Sequence, residues 1–129
     1  MPGQTSKQPK PSCWDTALTQ SAMTACAAAD FQQAESAMQR EYKKLLAKAN
    51  AGNPSAAPKI EAAQRAWLAF RDAQLEAMFA ADNKQLEYGS VYAMCRRIIE
   101  KNLTLERTKQ LSAMMSSPPE GDVCIGDRY

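Results

Sequence analysis

Residues 62–72 read Ala62-Ala63-Gln64-Arg65-Ala66-Trp67-Leu68-Ala69-Phe70-Arg71-Asp72, and this stretch crowds a tryptophan, a phenylalanine and two arginines into one short window. An α-helix advances about 100° per residue, so Ile60, Gln64, Trp67, Arg71, Leu75 and Met78 fall on a single stripe. Arg71 therefore lies on the apolar side of its helix. A guanidinium does not deprotonate and is costly to bury alone, so the stripe predicts a carboxylate on a facing element.

Outward from this window, the periodicity predicts a helix over 57–81, opened by Ser55 and an early proline at Pro58. Before it, Ala51-Gly52-Asn53-Pro54 stops a long helix over 19–50, whose inward face carries Met23, Ala27, Asp30, Ala34, Met38, Tyr42 and Leu45. After it, residues 82–90 are polar, lack a period and close on Gly89-Ser90, which predicts a connecting loop. A third helix follows over 91–115, with Met94, Ile98, Leu105 and Met114 among its apolar positions. Strand signals are absent. The expected architecture is an all-α, antiparallel up-down-up three-helix bundle over 13–115. A disordered segment is expected over 1–12 and an extended, disulfide-tethered tail over 116–129, opened by Pro118-Pro119.

The bundle geometry selects the acids for Arg71. Counted from the same end, Asp30 and Arg71 each sit about ten residues in, or ~15 Å at 1.5 Å per residue. Asp30 is the first choice for the ion pair and Glu35 the alternative, with Arg107 at a similar height to Glu35.

Composition narrows the function. The chain has 129 residues, a formal charge of +2 and no histidine. Its Lys and Arg residues are scattered among acids at helical spacings and no block of like charge emerges, which points away from nucleic acid. No run approaches the ~18 apolar residues of a membrane span, and no secretory leader is visible in residues 1–12. Without histidine the commonest general base and metal ligand is missing, and no nucleophile elbow or phosphate-cradling glycine loop is present. The expectation is a protein that is not an enzyme and holds no cofactor or metal. The seven methionines, at helical spacing, read as core filler. Four cysteines with no C-x-x-C spacing favour disulfides and an oxidising compartment.

The Ala63-Gln64-Arg65-Ala66-Trp67…Phe70-Arg71-Asp72 segment also carries a family resemblance. Four more segments keep its order and spacing: Thr19-Gln20 with Met23 and Cys26; Ala34-Glu35 with Met38 and Tyr42; Gly89-Ser90-Val91-Tyr92 with Met94; and Leu103-Thr104 with Arg107. Over residues 13–111 the chain resembles the LprI-type family of small secreted bacterial domains named after a lysozyme-inhibitor lipoprotein. The resemblance implies a periplasmic or secreted all-helical domain, with lysozyme inhibition as the associated activity. The chain departs from the family pattern at Leu75 and Ile99, where two cysteines are usual, as if one disulfide were lost and its space refilled. Ala22 stands where a glutamate would complete the capping box begun by Thr19.

Four cysteines allow three pairings. Cys13 can fold back onto Cys26, as the resemblance also implies, which leaves Cys95 with Cys124. The tail would then descend ~30 Å in nine residues, close to the limit of an extended chain. Cys26 with Cys95 and Cys13 with Cys124 stays open as the alternative. Should the chain inhibit a lysozyme or other muramidase, the expected contact is the loop and its exit: Tyr88, Gly89, Ser90 and Tyr92, with Arg96 or Arg97 supplying charge. Gly89-Ser90 reads equally as a turn followed by a helix cap. The other function class open to the sequence is a non-enzymatic envelope interaction module.

Overall fold

The computed structural model describes residues 11–116, 120, 121, 123, 124 and 129. The elements are α1 (Cys13–Thr16), α2 (Gln20–Gly52), α3 (Ala57–Met78), α4 (Lys84–Tyr88) and α5 (Tyr92–Met115), with single 3-10 turns at Pro54–Ala56 and Gly89–Val91. The protein is all-α, with no strand among the described residues.

Local chemistry sets each helix start. Ser12 caps α1 in a reciprocal box: its hydroxyl accepts from the Trp14 N–H at 3.2 Å, and Asp15 accepts from the Ser12 N–H at 2.8 Å. Thr19 caps α2 by accepting from the Ala22 N–H, so this cap works on one side only, as the alanine there predicts. Asn83 caps α4 by accepting from the Leu86 N–H. Two short helices, α1 and α4, thus appear in stretches whose apolar pattern is too brief to announce them. The expected loop over 82–90 is correspondingly replaced by a cap, a helix and a 3-10 turn.

Contacts between elements fix the directions. Gln20 meets Met94, Glu41 meets Ser112 and Lys48 meets the Met115 carbonyl, so α2 and α5 run the same way. Met38 meets Gln64 and Glu35 meets Arg71, in reverse order, so α3 runs against them. Helix α5 lies closest to α2, whose buried face includes the small side chains Cys26, Ala27, Ala34 and Ala49. Helix α3 stands farther off because it faces its neighbours with Gln64, Trp67 and Arg71. The largest apolar cluster, Met38, Leu45, Ala49, Ile60 and Leu111, fills the end where α2 finishes and α3 begins. Met78, expected on the inward stripe, is about half exposed because α3 ends there.

Cys13 and Cys26 form a disulfide, with Cα atoms 5.7 Å apart. This excludes the alternative pairing. The second expected bridge is not formed: Cys95 keeps a half-buried thiol one turn into α5. The geometry of the tail explains why. Tyr129 packs on the apolar cluster beside Met114 and Met115, so the chain ends at the same end of the bundle as α5. Cys95 lies ~30 Å away, at 1.5 Å per residue down α5, whereas the five residue steps from Cys124 to Tyr129 span at most ~18 Å. The expected disordered segment 1–12 falls mostly outside the described residues, and so does much of the expected tail over 116–129. Among the described residues no helix is long and apolar enough to cross a membrane.

Candidate functional site

Two places concentrate polar and aromatic side chains, one inside the bundle and one at the end where α2 and α5 begin. Inside, Arg71 is only 8% exposed and donates to Glu35 at 2.7 Å and to the Thr104 hydroxyl at 2.9 Å. The guanidinium also lies 5.5 Å from the Phe31 ring centre and 5.2 Å from that of Trp67. Each ring meets a second arginine: Arg97 is 5.0 Å from Phe31 and Arg107 is 5.9 Å from Trp67. Cations and aromatic faces therefore alternate along the helix interface, Arg107, Trp67, Arg71, Phe31, Arg97. Glu100, 5% exposed, holds Arg97 at 2.7 Å and Arg96 at 3.4 Å. Gln64 accepts from Arg107 Nε at 2.9 Å, and burial pushes the Arg107 guanidinium below its ordinary value.

The paired acid is thus Glu35, and the first-choice acid, Asp30, is not part of this row. Asp30 and Glu35 stand five positions apart on α2, or about 140° around the helix, so only one can face α3. Asp30 instead accepts from the Trp14 indole N–H at 2.8 Å, because the Cys13–Cys26 bridge folds α1 back along α2. Glu100 and Phe31 escaped the sequence reading, and Thr104 entered it only through the family resemblance, without a role. Glu100 stands three and four residues after its two arginines, a spacing that signals an ion pair along one helix. Phe31 gave no signal of its own, since only the packing of α3 brings it, like Thr104, to Arg71.

This row is structural in character. Its acids are committed to guanidiniums, and Arg71 Nε has no hydrogen-bond partner among the described residues. Among those residues no cluster of three acid or cysteine side chains could hold a metal ion.

The other end carries the residues expected to bind. Phe79, Tyr88 and Tyr92 form a closed aromatic trio: Phe79 meets Tyr88 and Tyr92 edge-on at 5.5 and 5.2 Å, and the two tyrosines stack at 5.8 Å. The Tyr88 hydroxyl accepts from the Ala81 N–H, and Lys84 Nζ donates to the carbonyls of Phe79 and Ala81 while pairing with Glu76. Tyr88 and Tyr92 therefore hold the loop together. Gly89, with φ +75°, turns the chain where a side chain would be strained, and Gly89, Ser90 and Val91 are left at the exposed tip. Arg96 and Arg97 belong to the interior row through Glu100. Of the six expected contact residues, the structure leaves Gly89 and Ser90 most open. A shallow groove of about 270 Å³ between α2 and α5, lined by Asp30, Gln33, Ala34, Ala37, Lys101 and Leu105, lies away from this tip.

Comparison with known proteins gives the sequence resemblance its standing. The family described as "Lysozyme inhibitor LprI" matches residues 13–111. An uncharacterized protein of Rhizobium meliloti (strain 1021) is 30% identical over 122 residues, which covers 86% of this chain and 84% of that protein. No solved structure matches the chain.

Proposed function

The chain belongs to the lysozyme inhibitor LprI family, and we propose that it is a secreted or periplasmic protein that blocks a muramidase by presenting its α4–α5 loop to the sugar-binding cleft. The observation that carries this reading is the construction of the loop. The aromatic trio, the Tyr88 hydroxyl and the Lys84 ammonium tie α4 to the end of α3, so the tip at Gly89, Ser90 and Val91 is exposed without being loose. A tip held in this way gives up little conformational freedom on binding, which favours a tight complex. The scaffold is the up-down-up bundle, with the interior arginine row fixing the register of α3 against α2 and α5. The Cys13–Cys26 bridge fits an oxidising, extracytoplasmic compartment. Catalysis is not part of the reading: Glu35 and Glu100 are held by arginines and Asp30 by an indole, so these three carboxyls are engaged in holding the bundle together.

The test is clearance of a bacterial cell-wall suspension by several lysozyme types with and without an equimolar amount of the protein. Inhibition of at least one type is expected. Ser90→Arg should weaken it by about tenfold with an unchanged melting temperature, because the exposed tip is needed for contact and not for folding. Lack of inhibition across all lysozyme types would move the assignment to a non-enzymatic envelope interaction module.

A further inference from the structure

The tip does not stand alone. Leu18 is 90% exposed, Leu86 82% and Val91 42%, and all three lie at the end of the bundle where α2 and α5 begin. The Gln20–Met94 contact sets the register, and the 3-10 turn Gly89–Val91 packs on α2. Val91, three residues before Met94, therefore falls level with the chain just ahead of Thr19, where Leu18 stands. Leu18 sits in the short link between α1 and α2, and Cys13–Cys26 closes that link into a ring. Three exposed apolar side chains at one end of the bundle, one of them on a closed ring, mark a surface that a partner can cover.

Charge says what covers it. Residues 11–39 contain Asp15, Asp30 and Glu35 and no lysine or arginine. Residues 72–104, which include the first half of α5, contain Asp72, Glu76, Asp82, Glu87 and Glu100 against Lys84, Arg96, Arg97 and Lys101, with Lys84 paired to Glu76 and the two arginines to Glu100. The opposite half reverses the sign: Arg71 sits level with Glu35 and offsets it, and residues 40–70 carry six lysines and arginines against Glu41 and Glu61. The net charge of +2 hides a bundle that is acidic at its loop end and basic at the other. A basic partner is drawn to the first and repelled by the second, which orients the encounter before contact.

We propose that the loop end docks a basic muramidase through a composite surface in which Leu18 joins Leu86 and Val91 as apolar anchors within an acidic surround that includes Asp82 and Glu87. This rests on the inhibitor reading and adds to it a second chain segment, a dependence on the disulfide and a preference for basic enzymes.

The experiment uses the full chain with its disulfide intact, a strongly basic animal-type lysozyme, and the same lysozyme succinylated to reverse its charge. Association and dissociation rates are read at low and high salt, beside the cell-wall clearance assay, with thermal melts of every variant as the fold control. The association rate with the basic enzyme should fall about tenfold from low to high salt, and the succinylated enzyme should associate at least tenfold more slowly at low salt. Asp82→Lys with Glu87→Lys should slow association about tenfold, whereas Lys43→Glu with Lys59→Glu, at the far end, should not slow it. Leu18→Ser should speed dissociation about tenfold with association unchanged. Clearance inhibited by the native protein but rates indifferent to Leu18→Ser, or equally sensitive to the far-end pair, would overturn this surface and leave the inhibitor reading intact. Failure to bind the basic enzyme while another muramidase is inhibited would overturn the partner class alone. Failure to inhibit any would overturn both.

Discussion

Arg71→Ala should lower the unfolding free energy by about 3 kcal/mol, and the structure shows where that figure comes from. The ion pair contributes less than a fully buried one, because the Glu35 side chain keeps 26% of its surface in water and stays hydrated when its partner is removed. That loss is ~1 kcal/mol rather than the 3–5 kcal/mol of a stranded buried charge. Losing the guanidinium between Phe31 and Trp67 adds ~1 kcal/mol, and truncating a packed stem adds about as much again. Arg71→Met keeps the stem and removes a buried Nε that has no partner among the described residues, so its cost should be about 1 kcal/mol. Urea titration followed by tryptophan fluorescence reads both, since Trp67 touches the guanidinium. For a bundle of this size the alanine variant should melt roughly 10–15 °C lower. A cycle of Arg71→Met with Glu35→Gln should give a coupling energy of ~1 kcal/mol. The reasoning is refuted if Arg71→Ala costs under about 1 kcal/mol, or if methionine is as damaging as alanine.

Three other outcomes follow from the same geometry. Reduction of Cys13–Cys26, which spans a sequence separation of 13, should cost about 3 kcal/mol and shift Trp14 emission to the red as its Asp30 contact loosens; unchanged emission after reduction would show that α1 stays docked without the bridge. Tyr88→Phe removes one hydrogen bond and should cost ~1 kcal/mol, while Tyr88→Ala also opens the aromatic trio and should cost about 2–3 kcal/mol in denaturant titration; equal losses would deny the trio its role. Hydrogen bonds from Lys44 and Ser112 hold the Glu41 carboxyl below the ordinary glutamate value, so its contribution to stability is present above that value and fades as pH falls through the lowered one. Ser112→Ala should flatten the acid side of the stability curve, and superimposable curves for the two proteins would count against the α2–α5 link.

The sequence by itself determined the helices. A period of 3.6 over long segments, Thr19 as a cap and the Gly52-Asn53-Pro54 stop are local signals, and each acts through backbone chemistry within a few residues. It also determined that Arg71 would be buried and paired with an acid on α2, because a guanidinium on an apolar stripe leaves few alternatives. Only the tertiary structure decided which acid. Asp30 and Glu35 are equivalent along the chain and differ by their angle around α2, and that angle matters only once α3 has docked. The structure likewise gives Tyr88 and Tyr92 a part as supports of the loop that the sequence did not announce, because Phe79 is brought to them by the end of α3. Cys95 remained a thiol for a reason of distance: the bundle's length separates it from a tail that ends at the opposite pole, and neither end of that separation is written in the sequence near the cysteines. The division of charge between the two poles shows no block of like charge along the chain. It becomes a surface only when antiparallel packing of α2 and α3 lays the acidic start of one beside the acidic end of the other.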